Sequence, residues 1–399
     1  MSESTAPVSA FSRLPRTVWA LGLVSLLMDM SSEMIHSVLP IFLTTTLGAS
    51  AAMVGLIDGV AEATAAIAKV PSGYISDRIG RRKPLILFGY GLAALAKPLF
   101  AIAAGPLPVL AARFADRVGK GVRGAARDAL VADVTPPEIR GRAYGLRQGL
   151  DTVGALIGPL IAVLLMLAYA NNFRLVFWVA VIPAVASVVM VLVGVGDSKG
   201  QAGKPKFPVR LAELRELSAG FWTIAGIGTV FTLARFSEAF LILKAAQAGL
   251  PIALSPLVLA GMSLVYAAGA YPAGALADRY PAPVLLSAGL VVLIGADLLL
   301  GLGHGLPAIA AGIALWGAHM ALTQGLFAKL VAGSAPDRLR GSAFGLFNLA
   351  SGVAALAASL IAGLTWDHYG SGATFLAGAG FAALTLAGLA LARRHLTPI

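Results

Sequence analysis

The sequence predicts an all-α membrane protein whose twelve transmembrane helices form two pseudo-symmetric six-helix bundles. Three observations support this fold class. First, 58% of the 399 residues are hydrophobic and only 12% are charged, whereas a soluble domain carries about 25% charged residues. Second, apolar runs of about twenty residues, the length that crosses a bilayer, occur throughout the chain. Third, segments of the first half recur in the second half at an offset of about 200 residues.

The apolar runs, named TM1 to TM12, are separated by short segments that contain Gly, Pro or charged residues. The predicted spans of the first half lie near 17–47, 52–75, 84–104, 107–131, 141–169 and 174–196. Those of the second half lie near 219–248, 254–277, 283–303, 306–332, 342–365 and 372–392. The only long polar segment separates TM6 from TM7. We therefore predict an N-terminal half (1–196), a cytoplasmic linker (197–218) and a C-terminal half (219–399).

The formal net charge of +11 fits membrane topology better than nucleic-acid binding. Outside the predicted spans, Lys and Arg gather in the two tails and the even-numbered connections, whereas the odd-numbered connections hold only Arg174. By the positive-inside rule, both termini are expected in the cytoplasm of a multi-pass protein of the inner (plasma) membrane. The chain has no Cys, which excludes disulfides and thiolate metal sites. Neither a metal nor a cofactor is expected.

Two sequence repeats relate the halves. The segment Val131–Leu146 matches Val331–Leu346 at an offset of 200, and Gly73-x3-Asp77-Arg78 recurs as Gly274-x3-Asp278-Arg279 at an offset of 201. Two repeats at nearly one offset predict parallel halves that are related by an axis along the membrane normal.

The segment after TM2 has the features of a conformational latch. Gly73 would let two helices approach closely, and Asp77 would sit near a helix N-terminus, where the dipole favours an anion. Arg78 and Arg81 would pair with that carboxylate. The alternative is a simple positive-inside stop signal, although Asp77 adds nothing to such a signal.

The same segment, Gly73-Tyr-Ile-Ser-Asp77-Arg78-Ile-Gly80-Arg81-Arg82-Lys83, resembles the cytoplasmic loop signature of the major facilitator superfamily. The shorter copy at Gly274 sits where that family has its second signature. The resemblance covers the whole chain, and it implies the major facilitator fold and a transporter rather than an enzyme. It also implies that Asp77, Arg81 and an acid at the end of TM4 hold the outward-facing state. Asp133 is the matching acid, with Asp128 as a second candidate.

In the second half, the corresponding latch residues are Asp278, Arg279 and Arg340. In TM4, Arg117-Val-Gly-Lys120-Gly121 resembles the second motif of the family, Arg-x-x-Gln-Gly, with Lys120 in place of the usual Gln. The resemblance implies that Arg117 lies in the central cavity, as it does in proton-coupled members.

TM5 contains the pattern Gly145-x8-Gly154-x3-Gly158-Pro159, which resembles the motif of family members that exchange drugs for protons. The final Gly-Gly of that motif is Ala-Val in this chain. Small residues at this spacing allow tight helix contact, and Pro159 introduces a kink. A glycine-packed helix pair without any transport role therefore explains the pattern equally well.

Charged residues inside the predicted spans cannot all face lipid, because each costs about 2.5–3.5 kcal/mol near the bilayer centre. Residues at i, i+3, i+4 and i+7 share a helix face. The spacing gives three charged stripes: Asp29, Glu33 and His36 on TM1; Asp58 and Glu62 on TM2; and Asp116, Lys120, Arg123 and Arg127 on TM4. Two interpretations stay open, namely salt-bridge networks that hold the first half together and a cavity wall that binds protons and substrate.

The mid-span charges are the candidates for proton coupling. The protonation state of a carboxyl group depends on burial and on nearby cations, and so can follow conformation. We expect Glu33 or Asp29 to respond to protons, while Arg117 and Lys120 modulate that acid or meet an anionic group of the substrate. The remaining candidates are two pairs and two polar residues: Arg147 with Asp151 on TM5, Arg235 with Glu238 on TM7, and His319 and Gln324 on TM10.

The predicted function is export of a small organic solute in exchange for protons by alternating access, with the proton gradient as energy source and a monomer in the bilayer. The alternative is a permease for a polar or anionic metabolite such as a siderophore or organic acid, which the doubled cation Arg117/Lys120 favours. We rank metal-ion transport lower because nearby cations repel a metal, and a non-transport scaffold does not explain the repeat. No phosphate-binding or zinc-protease motif occurs, so ATP-driven pumping and hydrolysis lack their residues.

Overall fold

The computed structural model describes residues 14–196, 216–336 and 339–396. Most of the predicted linker, 197–218, lies outside these residues. Within them, eleven helices are long and apolar enough to cross a membrane. TM4, Pro106–Val134, is the twelfth: its 29 residues span about 43 Å, but its many charges make it less apolar than the other eleven. The prediction of twelve transmembrane helices is confirmed, and the chain is an integral multi-pass membrane protein.

Each helix of the first half begins and ends close to its predicted position. TM1 runs over Arg16–His36, continues through a short turn at Leu39–Ile41 and ends in the π-helical segment Phe42–Thr46. The other helices are TM2 at Ala51–Ile79, TM3 at Lys83–Ile102, TM4 at Pro106–Val134, TM5 at Arg140–Ala168 and TM6 at Phe173–Gly194. TM2 ends at Gly80, whose φ of +66° is the left-handed conformation that favours glycine after a helix.

The second half contains two interrupted helices. TM7 consists of Ala219–Ala234 and Ala239–Gln247, and TM10 consists of Gly305–Thr323 and Leu326–Ser334. The break in TM10 falls at Gly325, where φ is +73°. The continuous helices are TM8 at Leu257–Ala277, TM9 at Ala282–Leu302, TM11 at Arg340–Tyr369 and TM12 at Ser371–Leu396.

The two halves repeat the same packing. In the first half TM1 packs on TM5 and TM6, TM4 packs on TM2 and TM3, and TM3 packs on TM6. The corresponding pairs in the second half are TM7 with TM11 and TM12, TM10 with TM8 and TM9, and TM9 with TM12. The contacts between the halves are also symmetric, because TM2 packs on TM11 and TM5 packs on TM8. The pseudo-symmetric pair of six-helix bundles predicted from the sequence is thereby confirmed.

TM5 packs against TM1 through two of the three motif glycines. A Cβ atom at Gly158 would lie 2.5 Å from the carbonyl oxygen of Met30, and one at Gly154 would also meet the TM1 backbone. Among the described residues, no atom lies within 4 Å of the Cβ position of Gly145. Pro159 is buried inside TM5. The motif therefore serves helix contact at Gly154 and Gly158, and the same contact does not account for Gly145.

The halves meet at one end of the bundle, which we call the Asp367 end. There the carboxylate of Asp367 on TM11 accepts hydrogen bonds from the backbone N–H groups of Ala51 and Ala52, at 3.0 and 2.9 Å. These are N–H groups of the first turn of TM2, where the helix dipole favours a negative charge. Nearby, a Cβ atom at Gly363 would lie 2.5 Å from the carbonyl oxygen of Ala51. The two backbones are therefore in close contact at this end.

We predict that Asp367→Ala opens the Asp367 end. The change removes two charge-assisted hydrogen bonds between the halves, which together stabilise the closed end by about 1–3 kcal/mol. Thr46→Cys and Gln247→Cys would carry nitroxide labels, because both positions are exposed and lie on opposite halves. The distance distribution between the two labels, measured by double electron–electron resonance, should gain a longer component. Since the chain has no native Cys, the labels have no background.

Glu138→Ala is the matched control, because Glu138 is an exposed acid at the opposite end of the bundle. It should leave the distance distribution unchanged. An unaltered distribution in Asp367→Ala would show that the carboxylate does not hold this end closed.

Candidate functional site

The acids of TM1 and TM2 are linked through His36 to a cation of TM4. The two ring nitrogens of His36 lie 3.4 Å from Glu33 Oε2 and 3.8 Å from Asp58 Oδ2. Arg113 Nη2 lies 3.2 Å from Asp58 Oδ1, and both of these side chains are buried. The predicted stripes of TM1 and TM2 therefore face each other, and Arg113 closes the group from TM4.

Asp58 also connects the two halves. Ser237 Oγ, at the break in TM7, donates a hydrogen bond of 2.7 Å to Asp58 Oδ2. The same hydroxyl accepts a hydrogen bond from the Ala239 N–H at 3.1 Å, and the Ser237 N–H is bound by Ser359 Oγ at 3.2 Å. The interruption of TM7 thus presents a hydroxyl group to a buried acid of the first half. Sequence reasoning missed Ser237, because a lone Ser carries no signal without the helix break.

The predicted stripe of TM4 is split in the structure. Asp116 is buried and faces TM3, where Lys97 Nζ binds its carboxylate at 2.9 Å and Ser32 Oγ at 2.9 Å. Lys120 is exposed to the central cavity, although it lies at the middle of TM4. Asp116 therefore fits the interpretation of a salt bridge that holds the first half together, whereas Lys120 fits that of a cavity wall. A residue that ion-pairs with an adjacent helix can turn away from the face that its spacing suggests.

Arg117 reaches the cavity with two acids beside it. Its guanidinium lies 3.6 Å from Glu62 and 4.0 Å from Asp116. Glu62 is 53% exposed although it is near the middle of TM2, so the cavity admits water to mid-membrane depth.

Two connected chambers form this central cavity. The vestibule has a volume of about 550 Å³ and the inner chamber about 400 Å³. They share four charged residues on their walls: Glu33, Glu62, Lys120 and Glu238. The vestibule extends from Lys120 to Asp128 along TM4, about 12 Å toward the end of the bundle that carries the TM2–TM3 connection. The cavity is thus closed at the Asp367 end and reaches toward the opposite end, which we call the Arg82 end.

The vestibule contains both paired and unpaired charges. Asp151 and Asp128 of the wall are bound by Arg147, which lies beside the vestibule: it forms an ion pair with Asp151, as its i, i+4 spacing predicts, and lies 3.7 Å from Asp128. Arg127 lies 3.3 Å from Asp128. By contrast, Asp29 lines the vestibule and has no cation within 4 Å among the described residues.

The predicted pair on TM7 is not formed. Arg235 and Glu238 both line the inner chamber, but no ion pair within 4 Å joins them in the described part of the chain. The helix break between Ala234 and Ala239 removes the regular i, i+3 spacing on which the prediction rested. The Arg235 guanidinium lies instead over the Phe231 ring, 5.5 Å from its centroid.

The two candidates on TM10 lie outside both chambers. His319 is fully buried, and its Nδ1 donates a hydrogen bond of 2.8 Å to the carbonyl oxygen of Gly289 on TM9. Gln324 is exposed at the break of TM10. Trp316 and Met320 line the cavity from TM10 instead. Sequence reasoning sought polar residues there and therefore passed over these apolar ones.

No metal centre is evident in the cavity: within residues 14–196, 216–336 and 339–396, no group of three or more His, Asp or Glu side chains is placed to hold a metal ion.

At the Arg82 end, Arg82 joins the end of TM2 to the end of TM4. Its guanidinium lies 2.5 Å from Asp77 Oδ1 and 3.1 Å from Asp133 Oδ2, and it donates a further hydrogen bond of 2.8 Å to Ser76 Oγ. Burial opposes its charge, but the hydrogen bonds to Asp77 and Asp133 and the charges of these two acids raise the pKa of Arg82. The predicted acids Asp77 and Asp133 are joined through Arg82, a cation that the sequence prediction did not assign to the latch.

Two other predictions for the latch need correction. A Cβ atom at Gly73 would make only an ordinary contact, 3.7 Å from Ala125 Cβ, so close approach does not require this glycine. Among the described residues, Arg78 has no ion-pair partner, and neither do Asp278 and Arg279 of the second copy. Arg340 Nε donates a hydrogen bond of 3.2 Å to the carbonyl oxygen of Ala332.

The second copy lacks the bridging cation. At the offset of 201 that relates the copies, the position equivalent to Arg82 is Pro283. A proline has no side chain that can bind an acid, so this position cannot form the equivalent of the Arg82 bridge in the second half.

We predict that Arg82→Ala lowers the free energy of unfolding by about 1–3 kcal/mol. The change leaves two carboxylates without their shared cation, and the effect is limited because Asp77 is half-exposed. Reversible denaturation of the detergent-solubilised protein measures this difference. Arg78→Ala, the exposed neighbour, is the control and should stay within about 0.5 kcal/mol of wild type. Equal effects of the two changes would contradict the bridging role of Arg82.

Comparison with known proteins assigns this architecture to a family. The family model of the Major Facilitator Superfamily matches residues 21–256 and 239–398. An MFS-type transporter of Methanocaldococcus jannaschii is 29% identical over 88% of this chain and 89% of its own length. The inner membrane transport protein YajR of Escherichia coli K12 is 26% identical over 93% of this chain and 82% of its own length.

The fold is likewise shared with a solved structure. A POT family transporter in complex with 5-aminolevulinic acid superimposes with a TM-score of 0.82 at 14% identity, covering 98% of this chain and 99% of that one. Two six-helix bundles with equivalent packing, a central charged cavity and the family match together lead to one assignment. The chain belongs to the Major Facilitator Superfamily and is a secondary transporter.

Proposed function

We propose that this transporter exports a small organic solute in exchange for protons. The observation that carries the proposal is Asp29, an acid on the vestibule wall that has no cation within 4 Å among the described residues. Such an acid can gain or lose a proton without breaking an ion pair. Glu33, the other acid considered for this role, is already close to His36 at 3.4 Å. Asp29 is therefore the preferred proton site.

The surroundings of Asp29 support coupling between protons and conformation. The vestibule wall near it carries Lys120, Arg123 and Arg127 from TM4. Movement of TM4 relative to TM1 would change the distance from these cations to the carboxylate, and with it the affinity of Asp29 for a proton. A proton bound in one conformation would thus be released in the other, which is the requirement for exchange transport.

We further propose that the Arg82 end faces the cytoplasm and that the protein resides in the inner membrane. The Lys and Arg residues beside the spans gather at the Arg82 end, in agreement with the positive-inside rule. The similar protein of Escherichia coli is named for the inner membrane. A cavity that reaches the cytoplasmic side would accept a solute from within the cell, and outward release would follow closure at the Arg82 end.

A second candidate is a permease that takes up a polar or anionic metabolite together with protons. Lys120 supports it, because this exposed mid-span ammonium group has no ion-pair partner among the described residues. The two candidates differ in the direction of proton flux. In exchange transport the proton moves against the solute, and in cotransport it moves with the solute.

We predict that Asp29→Asn abolishes solute-driven proton movement. Proteoliposomes that enclose a pH-sensitive dye would be given gradients of ethidium, citrate or a hydroxamate siderophore, which represent three solute classes. In wild type, an effective solute should change the internal pH in the sense of exchange. In Asp29→Asn the pH change should be lost, because the amide cannot carry a proton.

Asp297→Asn is the matched control, since Asp297 is a fully buried acid of TM9 that lines neither chamber. It should behave as wild type. Solute-driven pH change that persists in Asp29→Asn would rule out Asp29 as the proton site, and a pH change of the opposite sign in wild type would favour the permease.

A further inference from the structure

The cations of the inner chamber differ in whether the protein neutralises them. Arg117 lies between Glu62 and Asp116, at 3.6 and 4.0 Å. Lys120 and Arg235 also line this chamber, but among the described residues neither has an acid within 4 Å or a side-chain hydrogen bond. Lys120 belongs to TM4 of the first half and Arg235 to TM7 of the second half. Two unneutralised cations therefore face one chamber from the two bodies that move in transport.

The guanidinium group of Arg235 is positioned where its Nε–H group has no hydrogen-bond acceptor. The backbone from Arg235 to Glu238 leaves the helix, and Nε of Arg235 is buried without any hydrogen-bond partner. A buried guanidinium N–H without an acceptor is costly, and the planar guanidinium matches a carboxylate or phosphate better than any other side chain does. The Phe231 ring beneath it, at 5.5 Å, fixes its orientation without neutralising its charge.

Three of the four acids on the chamber wall have partners within the protein and do not neutralise Lys120 or Arg235. Glu33 is engaged by His36, Glu62 by Arg117, and Asp58 by Arg113 and Ser237. Only Glu238 has no cation within 4 Å in the described residues. One unpaired acid against two unpaired cations favours a ligand with a single negative charge.

One wall of the same chamber is aromatic. It is formed by Phe231, Phe236 and Trp316, and the rings of Phe236 and Trp316 are 5.4 Å apart. Aromatic side chains bind planar apolar groups through large contact areas. The chamber volume of about 400 Å³ lies in the range of small-molecule sites. The chamber thus combines a cationic part with an apolar part of molecular size.

We propose that the solute is an organic monoanion with an aromatic or planar apolar body, whose charged group lies between Lys120 and Arg235 and whose body lies against Phe236 and Trp316. The inference deepens the proposed function and rests on the inner chamber being the solute site. It adds a consequence for transport: an anion bound by both cations joins the two halves, so that binding favours the conformation in which TM4 and TM7 approach.

The test is equilibrium binding of radiolabelled 2-naphthoate to the purified transporter in nanodiscs, with neutral 2-naphthamide and the cation 2-naphthylmethylammonium as competitors. Wild type should bind 2-naphthoate, and neither competitor should displace it effectively. Lys120→Gln and Arg235→Gln should each weaken binding by about tenfold or more, and Arg235→Lys should restore part of it. Lys244→Gln removes a charge from the same interrupted helix outside both chambers and should have no effect.

Several results would overturn the proposal: equal competition by the amide or the amine, undiminished binding in Lys120→Gln and Arg235→Gln, or no detectable 2-naphthoate binding by wild type. Lys120 is exposed, so its variant is expected to fold and keeps the test decisive if Arg235→Gln does not. The readout needs no proton movement. Loss of 2-naphthoate binding in a protein that still exchanges protons for another solute would therefore reject the anion site and leave the proposed exchange intact.

Discussion

The cost of placing charge inside a bilayer is the constraint on which the rest of this structure depends. An isolated ionised group at the membrane centre is unfavourable by several kcal/mol, yet TM1, TM2 and TM4 carry acids and cations at mid-span. Most are stabilised by pairing across helices, as in Asp58 with Arg113 and Asp116 with Lys97. The remainder face a cavity that holds water. Pairing and hydration together explain why the first half can be charged inside and still pack as a helical bundle.

The two halves meet this constraint differently, although their helices pack in the same pattern. The first half pairs most of its charges internally, whereas the second half supplies an aromatic wall, a broken helix and few charges. The hydroxyl of Ser237 donates a hydrogen bond of 2.7 Å to Asp58, so the charge network of Glu33, His36, Asp58 and Arg113 ends on the other half. A change in the charge of that network would therefore alter the hydrogen bond from Ser237 to Asp58 that joins the two halves. The charge state of the first half is thereby connected to the position of TM7 in the second half.

The sequence alone was sufficient for the architecture because apolar length, loop charge and internal repetition are properties of the chain. Even TM4, whose charges lower its hydropathy, is recognisable as an apolar run near 107–131. Side-chain partners were less predictable, because they depend on how helices rotate against each other. Asp116 binds Lys97 of TM3, and Arg82, which was not assigned to the latch from the sequence, bridges Asp77 and Asp133. In each case, residue spacing along the sequence does not determine which side chain pairs with the neighbouring helix.

The cavity was predictable only on its charged side. The stripes on TM1 and TM2 predicted the acids that line it, but Ser237, Phe236 and Trp316 are residue types that occur in many helices without a role. The placement of Ser237 and Phe236 follows from the break in TM7. No Gly or Pro occurs at residues 235–238 that would have predicted this break. A polar residue such as His319 looked more suitable from the sequence, yet it is used to bind the backbone of TM9. Residue type therefore predicted the site residues of the N-terminal half better than those of the C-terminal half.

The seam between TM2 and TM11 has a consequence for how the transporter changes state. Gly55 and Gly59 on one helix and Gly352 and Gly363 on the other bring the two helix backbones into close contact. Dispersion attraction between such surfaces falls steeply within the first ångström of separation. A partly opened seam would lose most of this attraction before water could fill the gap. The contact between TM2 and TM11 should therefore behave as a two-state switch: the closed and the fully separated conformations are populated, and intermediate separations are rare.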